Sequence, residues 1–283
     1  MSNHAELSHT ALVFPGQGSQ TADMRDLVAE HCPEMIELAV SEMGCDPFGR
    51  VSEGTSFQQP ALYCAAIAGW RAAGSPEADW FAGHSLGELA AAAAAGAIST
   101  EDGLRLAITR GRVMQDAAEA EPGGMLAVLG EAPGLSALAN SVGLTVANDN
   151  APDQIVLSGP SDSIDEARRR FREAGIRTIR LPVAGAFHSP AMATAAPAFR
   201  DVLDSVQVSE PHATLFSSTT ARPFTDLREG LIAALTRPVR WRETVIRLRE
   251  LGVSSFMESG PGDVLTKLIK RTLDGVKAGP ARV

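Results

Sequence analysis

Hydrophobic positions along the chain fall into short apolar runs separated by longer helical patterns. Ala11–Phe14 is a four-residue apolar run closed by Pro15-Gly16, which predicts a buried strand. A helix is expected from Met24 through the stretch Glu34–Val40, and a second over Pro60–Trp70 with its proline near the first turn. Trp80–Ala82 predicts a brief strand that runs into Gly83-His-Ser-Leu-Gly87 and then an alanine-rich helix, Glu88–Ala95. Ser99 with Glu101 and Asp102 has the pattern of an N-cap before a helix that continues to about Ala120.

The texture changes after Glu121-Pro-Gly-Gly124. Strands are expected at Met125–Leu129, Leu144–Ala147, Gln154–Leu157 and Ile176–Leu181, and helices at Leu135–Ala139 and Ser161–Glu173, with Ser161 as cap. Asn148–Asp153 predicts the turn between the middle strands. This strand-helix-strand-strand-helix-strand order is ferredoxin-like and predicts an insert of residues 125–183. The larger body, residues 1–124 and 184–283, resumes with a helix at Pro190–Leu203 and a strand at Thr214–Ser217. It continues with a helix at Arg240–Leu251, a strand at Val253–Met257 and a last helix at Val264–Leu273, and Gly275–Val283 is expected to be a soft tail. Strands alternating with helices predict an α/β fold: a mostly parallel sheet with helices on both faces.

Composition narrows the function classes. The 34 acidic and 25 basic residues give a net charge of −9, and no dense Lys/Arg block supplies a nucleic-acid footprint. The three cysteines, Cys32, Cys45 and Cys64, form no CxxC pair, which argues against a disulfide framework and a thiolate metal site. The longest apolar stretch, Leu89–Ile98, is far short of a membrane span, and MSNHAELSHT is not a secretory signal. A cytoplasmic, monomeric enzyme with no metal or other cofactor, and no nucleic-acid or membrane partner, is the expectation.

Gly83-His84-Ser85-Leu86-Gly87 matches GxSxG between a strand and a helix, the setting of a nucleophile elbow. From the residues alone, Ser85 is either a nucleophile or a helix cap with His84 packed in the core. A serine needs a base. Of His4, His9, His31, His84, His188 and His212, the first two lie in an N-terminus expected to fray. His188, just after the insert, is the strongest candidate base, with a hydrogen bond in a junction as its plainer role. Arg105, Arg110 and Arg112 lie on one helix pattern, and all three could be solvated.

The chain resembles the malonyl-CoA:acyl-carrier-protein transacylase family, including the acyltransferase domains of polyketide synthases. The matching segments are Phe14–Gln20, Gln59–Leu62, Gly83–Glu88, Thr109–Gln115, Ala147–Asn150, Gln154–Gly159, Phe187–Ser189, Pro238–Trp241 and Glu258–Gly262. The resemblance implies a hydrolase-like domain carrying a ferredoxin-like insert. It implies Ser85 as the acyl-bearing serine, His188 as its base and a backbone carbonyl at Arg240 as the group orienting that imidazole. It further implies an oxyanion hole from the N–H groups of Gln17 and Leu86, and Arg110 as the partner of the malonyl carboxylate, with Gln59 in support. Phe187 before the histidine goes with malonyl rather than methylmalonyl in such proteins. Malonyl-CoA is then the substrate and an acyl carrier protein with its phosphopantetheine arm the acceptor, in fatty-acid or polyketide synthesis. An esterase or thioesterase, the malonyl-transfer component of a malonate decarboxylase, and a non-catalytic carrier-binding scaffold are the other readings. The chain departs from the family pattern at Thr21–Arg25, and a glutamine common before PVxW is missing from Ala233–Arg237.

Overall fold

A computed structural model of the chain describes residues 9–130 and 134–281. In chain order, β1 (His9–Phe14) is followed by α1 (Met24–His31), α2 (Pro33–Met43), a 3-10 segment (Pro47–Glu53) and α3 (Thr55–Ala72). Then come β2 (Trp80–Gly83), α4 (Gly87–Ala94) and α5 (Thr100–Ala120). The smaller unit holds β3 (Gly123–Leu129), α6 (Leu135–Ser141), β4 (Thr145–Ala151), β5 (Gln154–Pro160), α7 (Ser161–Glu173) and β6 (Arg177–Arg180). A second 3-10 segment (Pro190–Ala195) leads into α8 (Ala196–Ser205), β7 (Thr214–Ser217), β8 (Arg222–Pro223) and α9 (Leu227–Ala233). The chain continues through α10 (Trp241–Glu250), β9 (Val253–Glu258), α11 (Val264–Thr272) and β10 (Lys277–Pro280).

Two sheets result. The larger has the order β10-β9-β1-β2-β7-β8, parallel except for the β7–β8 pair, and the smaller has the antiparallel order β4-β5-β3-β6. The second order is that of a ferredoxin-like unit, so the expected α/β class with its small insert is found. Along β1, Leu12 and Phe14 join one core cluster with α1–α5 and α8, while Ala11 and Val13 join another with α10 and α11. Both faces are thus covered, which is why β1 reads as a continuous apolar run rather than an alternating one. The alanines of α4 are all buried, and their small side chains let it pack against β2, α3 and α5. Among the described residues no helix is long and apolar enough to cross a membrane.

The structure corrects several local expectations. The helix expected from Met24 to Val40 is two helices, because Pro33 starts α2 and Cys32 leaves helical geometry. Pro60 sits inside α3, which begins at Thr55. The expected turn Asn148–Asp153 is mostly strand: Asp149 N–H donates to Val239 O and Val239 N–H to Ala147 O, both at 2.8 Å. That bridge to the larger body extends the backbone where Asn and Asp side chains suggest a turn. Ser161 is the first residue of α7, not its cap; Pro160 holds that position. The tail is partly ordered as β10, paired with β9, while Arg282 and Val283 lie outside the described residues. His9 belongs to β1, and His4 lies outside the described residues.

Candidate active site

Phe14 and Gly83 are register partners at the ends of the parallel strands β1 and β2. The loops that follow, Pro15-Gly-Gln-Gly18 and the Gly83–Gly87 elbow, therefore emerge side by side. Both elbow glycines are steric necessities. A Cβ on Gly83 would lie 2.0 Å from the Gly87 carbonyl carbon, and one on Gly87 would lie 2.0 Å from Phe14 O. Ser85 between them has φ 54°, a left-handed conformation that costs a non-glycine residue about 1–3 kcal/mol and is held only by such surroundings.

Ser85 Oγ lies 2.8 Å from His188 Nε2. His188 also has a left-handed backbone, with φ 57°. Its Nδ1 faces two carbonyls, Ala234 O at 2.9 Å and Arg237 O at 3.2 Å. Two acceptors there place the proton on Nδ1 and leave the Nε2 lone pair to receive the serine proton. Burial lowers the His188 pKa to about 3, aided by the charges of Arg110 and His84 and opposed by the two carbonyl bonds. The imidazole is therefore a neutral base at any ordinary pH.

The expected orienting group was the Arg240 carbonyl, and here the structure differs. Arg240 is the N-cap of α10, and its carbonyl accepts from Thr244 N–H and Thr244 Oγ1, each at 2.9 Å. That oxygen is committed to the helix start. The role passes to Ala234 and Arg237, in the segment where the family's glutamine is missing. A main-chain oxygen needs no particular side chain.

Arg110 is 3% exposed on the inner face of α5. It donates to Gln59 Oε1 at 2.7 Å and to Ser85 Oγ at 3.1 Å. Gln59 is held in turn by Thr55 Oγ1 at 2.9 Å and Met114 Sδ at 3.4 Å. Burial lowers the Arg110 pKa to about 10, opposed by the nearby Glu88 carboxyl. It remains a cation at neutral pH, and no carboxylate comes within ion-pair distance of it among the described residues. A buried cation without a counter-ion is costly to keep unless an anion is to join it.

A cavity of about 180 Å³ opens above Ser85 and His188. Gln17, Gln58, Met125, Asn148, Leu181 and Phe187 contribute to its lining. Arg110 and Gln59 are not among the residues of this wall. Leu86 is buried at the N-cap of α4, so its N–H has no carbonyl one turn back. A larger cavity, about 650 Å³, lies elsewhere, between Val208–Leu215 and Pro223–Arg228, and contains none of these groups.

Sequence reasoning missed several members. His84 is fixed by Asn150 Oδ1, 2.8 Å from its Nε2, and by an edge-on contact with Trp241. Gln58 accepts from Gln17 Nε2 at 2.7 Å, which ties the loop after β1 to α3. Glu88, one turn beyond Ser85, is buried with a carboxyl bound by Ser217 at the end of β7 and by Ser218 after it. Its place in the Gly83–Glu88 match was the available clue. Among the described residues the other histidines lie elsewhere: His212 is edge-on against Phe81, His31 is on α1 and His9 is on β1. Glu258, in another matched segment, accepts from the N–H groups of Leu265 and Thr266 and so caps the start of α11.

A serine, a neutral base and a buried cation around one hydroxyl suit acyl transfer from an activated, negatively charged acyl group. Among the described residues no group of His, Cys, Asp or Glu is placed to hold a metal ion. Residues 11–283 match the family model described as the acyl transferase domain. The chain is 39% identical over 287 residues to polyketide biosynthesis protein ThaF of Burkholderia thailandensis, matching 94% of this chain but only 24% of that protein. It is 35% identical over 288 residues to the malonyl CoA-acyl carrier protein transacylase of Bacillus subtilis, with 94% and 90% covered. The crystal structure of the transacylase from Xanthomonas oryzae superposes with a TM-score of 0.89 at 34% identity, covering 96% of this chain and 94% of that one. The transacylase from Coxiella burnetii gives a TM-score of 0.88 at 32% identity, with 97% and 94% covered.

Proposed function

The chain belongs to the acyl transferase domain family, and from that premise we propose that Ser85 and His188 carry malonyl from malonyl-CoA to the phosphopantetheine thiol of an acyl carrier protein. The enzyme is a malonyl-CoA:acyl-carrier-protein transacylase of the kind that serves fatty-acid or polyketide synthesis. The observation that carries the residue assignment is the meeting of two groups at one serine oxygen. Ser85 Oγ has His188 Nε2 at 2.8 Å and the Arg110 guanidinium at 3.1 Å.

In the first half-reaction Ser85 Oγ attacks the thioester carbonyl and its proton passes to His188 Nε2. The developing oxyanion is received by the N–H groups of Gln17 and Leu86; one such donor is worth about 2.7–4 kcal/mol. The tetrahedral intermediate collapses, the C–S bond breaks, and the CoA sulfur leaves with the proton from His188. In the second half-reaction the carrier's thiol gives its proton to His188, attacks the acyl-serine and restores the hydroxyl. Ala234 O and Arg237 O hold the imidazole throughout but lend it no full charge. The Arg110 fork takes the free carboxylate of malonyl, a planar match of two donors to two oxygens. Phe187 crowds the wall beside His188 and disfavours a branched acyl group. No metal or redox step is required by this sequence of bonds.

Intact-mass analysis after separate mixing with malonyl-CoA, acetyl-CoA and methylmalonyl-CoA tests the reading. A malonyl adduct formed fastest, and discharged by a phosphopantetheine-bearing carrier, is the expected result. Absence of any adduct, or equal labelling by acetyl, overturns it.

A further inference from the structure

Glu88 is a buried ionisable group for which the transfer chemistry has no use. It lies in the first turn of α4, directly after the nucleophile, and is 1% exposed. Oε1 collects Ser218 N–H at 2.7 Å, Ser218 Oγ at 2.9 Å and Ser217 Oγ at 3.4 Å, while Oε2 is buried with no hydrogen-bond partner among the described residues. A carboxyl in an alanine helix core is expensive unless something is gained by its bonds. The gain lies in what Ser218 holds next. Its carbonyl accepts Arg240 N–H at 2.7 Å, and Arg240 closes the segment whose Ala234 and Arg237 carbonyls grip His188 Nδ1.

We propose that Glu88 is a positioning residue for the transfer: through Ser218 its carboxylate ties the nucleophile's helix to the segment that orients the base. This rests on the assignment of Ser85 and His188 made above. The ionised carboxylate makes the stronger bonds, because charge-assisted hydrogen bonds are roughly twice as strong as neutral ones. Protonation of Glu88 therefore slackens the link between Ser85 and His188.

Among the elements packed against α4, Arg110 on α5 is the buried charge that bears on Glu88; Tyr63 and Cys64 on α3 are kept neutral by burial. His84 lies in the elbow before α4, its pKa lowered by burial, and His9 lies at the far end of β1. β2 and β7 carry no ionisable side chain. Burial raises the Glu88 pKa to about 7, opposed by the Ser218 bonds, the charge of Arg110 and the Ser217 hydroxyl. His188 titrates far below, at about 3. An acid-side break near neutral pH in the acylation rate then belongs to Glu88 and not to the catalytic histidine.

The test is rapid-quench acylation by malonyl-CoA across pH, with native enzyme, Glu88→Gln, Ser218→Ala and Ser85→Ala side by side. Glu88→Gln should acylate about 10- to 100-fold more slowly, the scale of a small misplacement of reacting groups. Its KM for malonyl-CoA should be unchanged or lower, since the pull of the Glu88 charge on Arg110, felt without an ion pair, is removed. Its profile should be flat where the native enzyme breaks. Ser218→Ala removes a bond to the ionised form, so its break should move to higher pH; this variant decides the matter if Glu88→Gln does not fold. A native rate and unaltered break in Glu88→Gln, or an unmoved break in Ser218→Ala, overturns the proposal. An adduct surviving in Ser85→Ala overturns instead the reading on which it rests.

Discussion

The Arg110 guanidinium donates to Ser85 Oγ from a site with no carboxylate in ion-pair reach among the described residues, so the elbow serine and a cation without an ion-pair partner share one hydrogen bond. An acyl group bearing its own carboxylate completes that arrangement; one without it leaves the cation as it was. Arg110→Ala should lower the ratio of malonyl to acetyl transfer by about 10- to 100-fold, the worth of a charge-assisted pair of about 1.5–3 kcal/mol. Parallel transfer assays to a carrier protein measure the ratio. An equal fall in both rates would make Arg110 a structural or CoA-contacting residue.

Ser85→Ala should abolish the covalent malonyl adduct while leaving the thermal transition close to native. The left-handed backbone at this position is unkind to alanine as well, so a loss of up to about 1 kcal/mol is tolerable. Mass spectrometry of the denatured complex, beside a melting curve, decides the point.

His188→Ala should slow acylation by about 10²–10⁴-fold, the usual weight of a positioned base, with little change in malonyl-CoA binding. Single-turnover rates and equilibrium binding separate the two effects. Native-rate acylation would remove His188 from the mechanism.

Stability should carry a signature of the same histidine. Its folded pKa, about 3, lies below the ordinary 6.5, so between these values the unfolded chain binds the proton more readily. Stability from this group is intact above pH 6.5 and is lost as pH falls toward 3, by up to about 1.4 kcal/mol per unit. Glu88, raised to about 7 from 4.5, acts oppositely: the fold keeps its proton longer, so its contribution falls as pH rises through that window. Comparing native enzyme with His188→Gln cancels the Glu88 part. The variant should lose less Tm than the native protein between pH 6.5 and 3. Identical pH slopes would contradict the burial of a neutral imidazole.

The elbow was legible because its parts are local in sequence. The elbow is one strand, one turn and one helix, and Gly83, Ser85 and Gly87 announce it. The ferredoxin-like order is a count of short elements, and that count survives errors in their ends. What could not be read depends on contacts between distant segments. Which carbonyl meets His188 follows from where α10 begins, and Arg240 spends its oxygen there. Asn148–Asp153 is extended because Val239 pairs with it, and nothing in its own residues says so. The edge strand β10 exists only because β9 offers it hydrogen bonds.

The order of strands in the larger sheet has a consequence for how the enzyme comes into being. β1 lies between β2 and β9, and β9 is drawn from the opposite end of the sequence. The smaller sheet closes entirely within one contiguous stretch, from β3 to β6. Contacts so far apart in sequence are slow to form, because the intervening chain must first give up its freedom. During synthesis the insert can fold while β1 still lacks a neighbour on one side. β1, the strand that leads into the Gln17 loop, then gains its second neighbour only once β9 has been made.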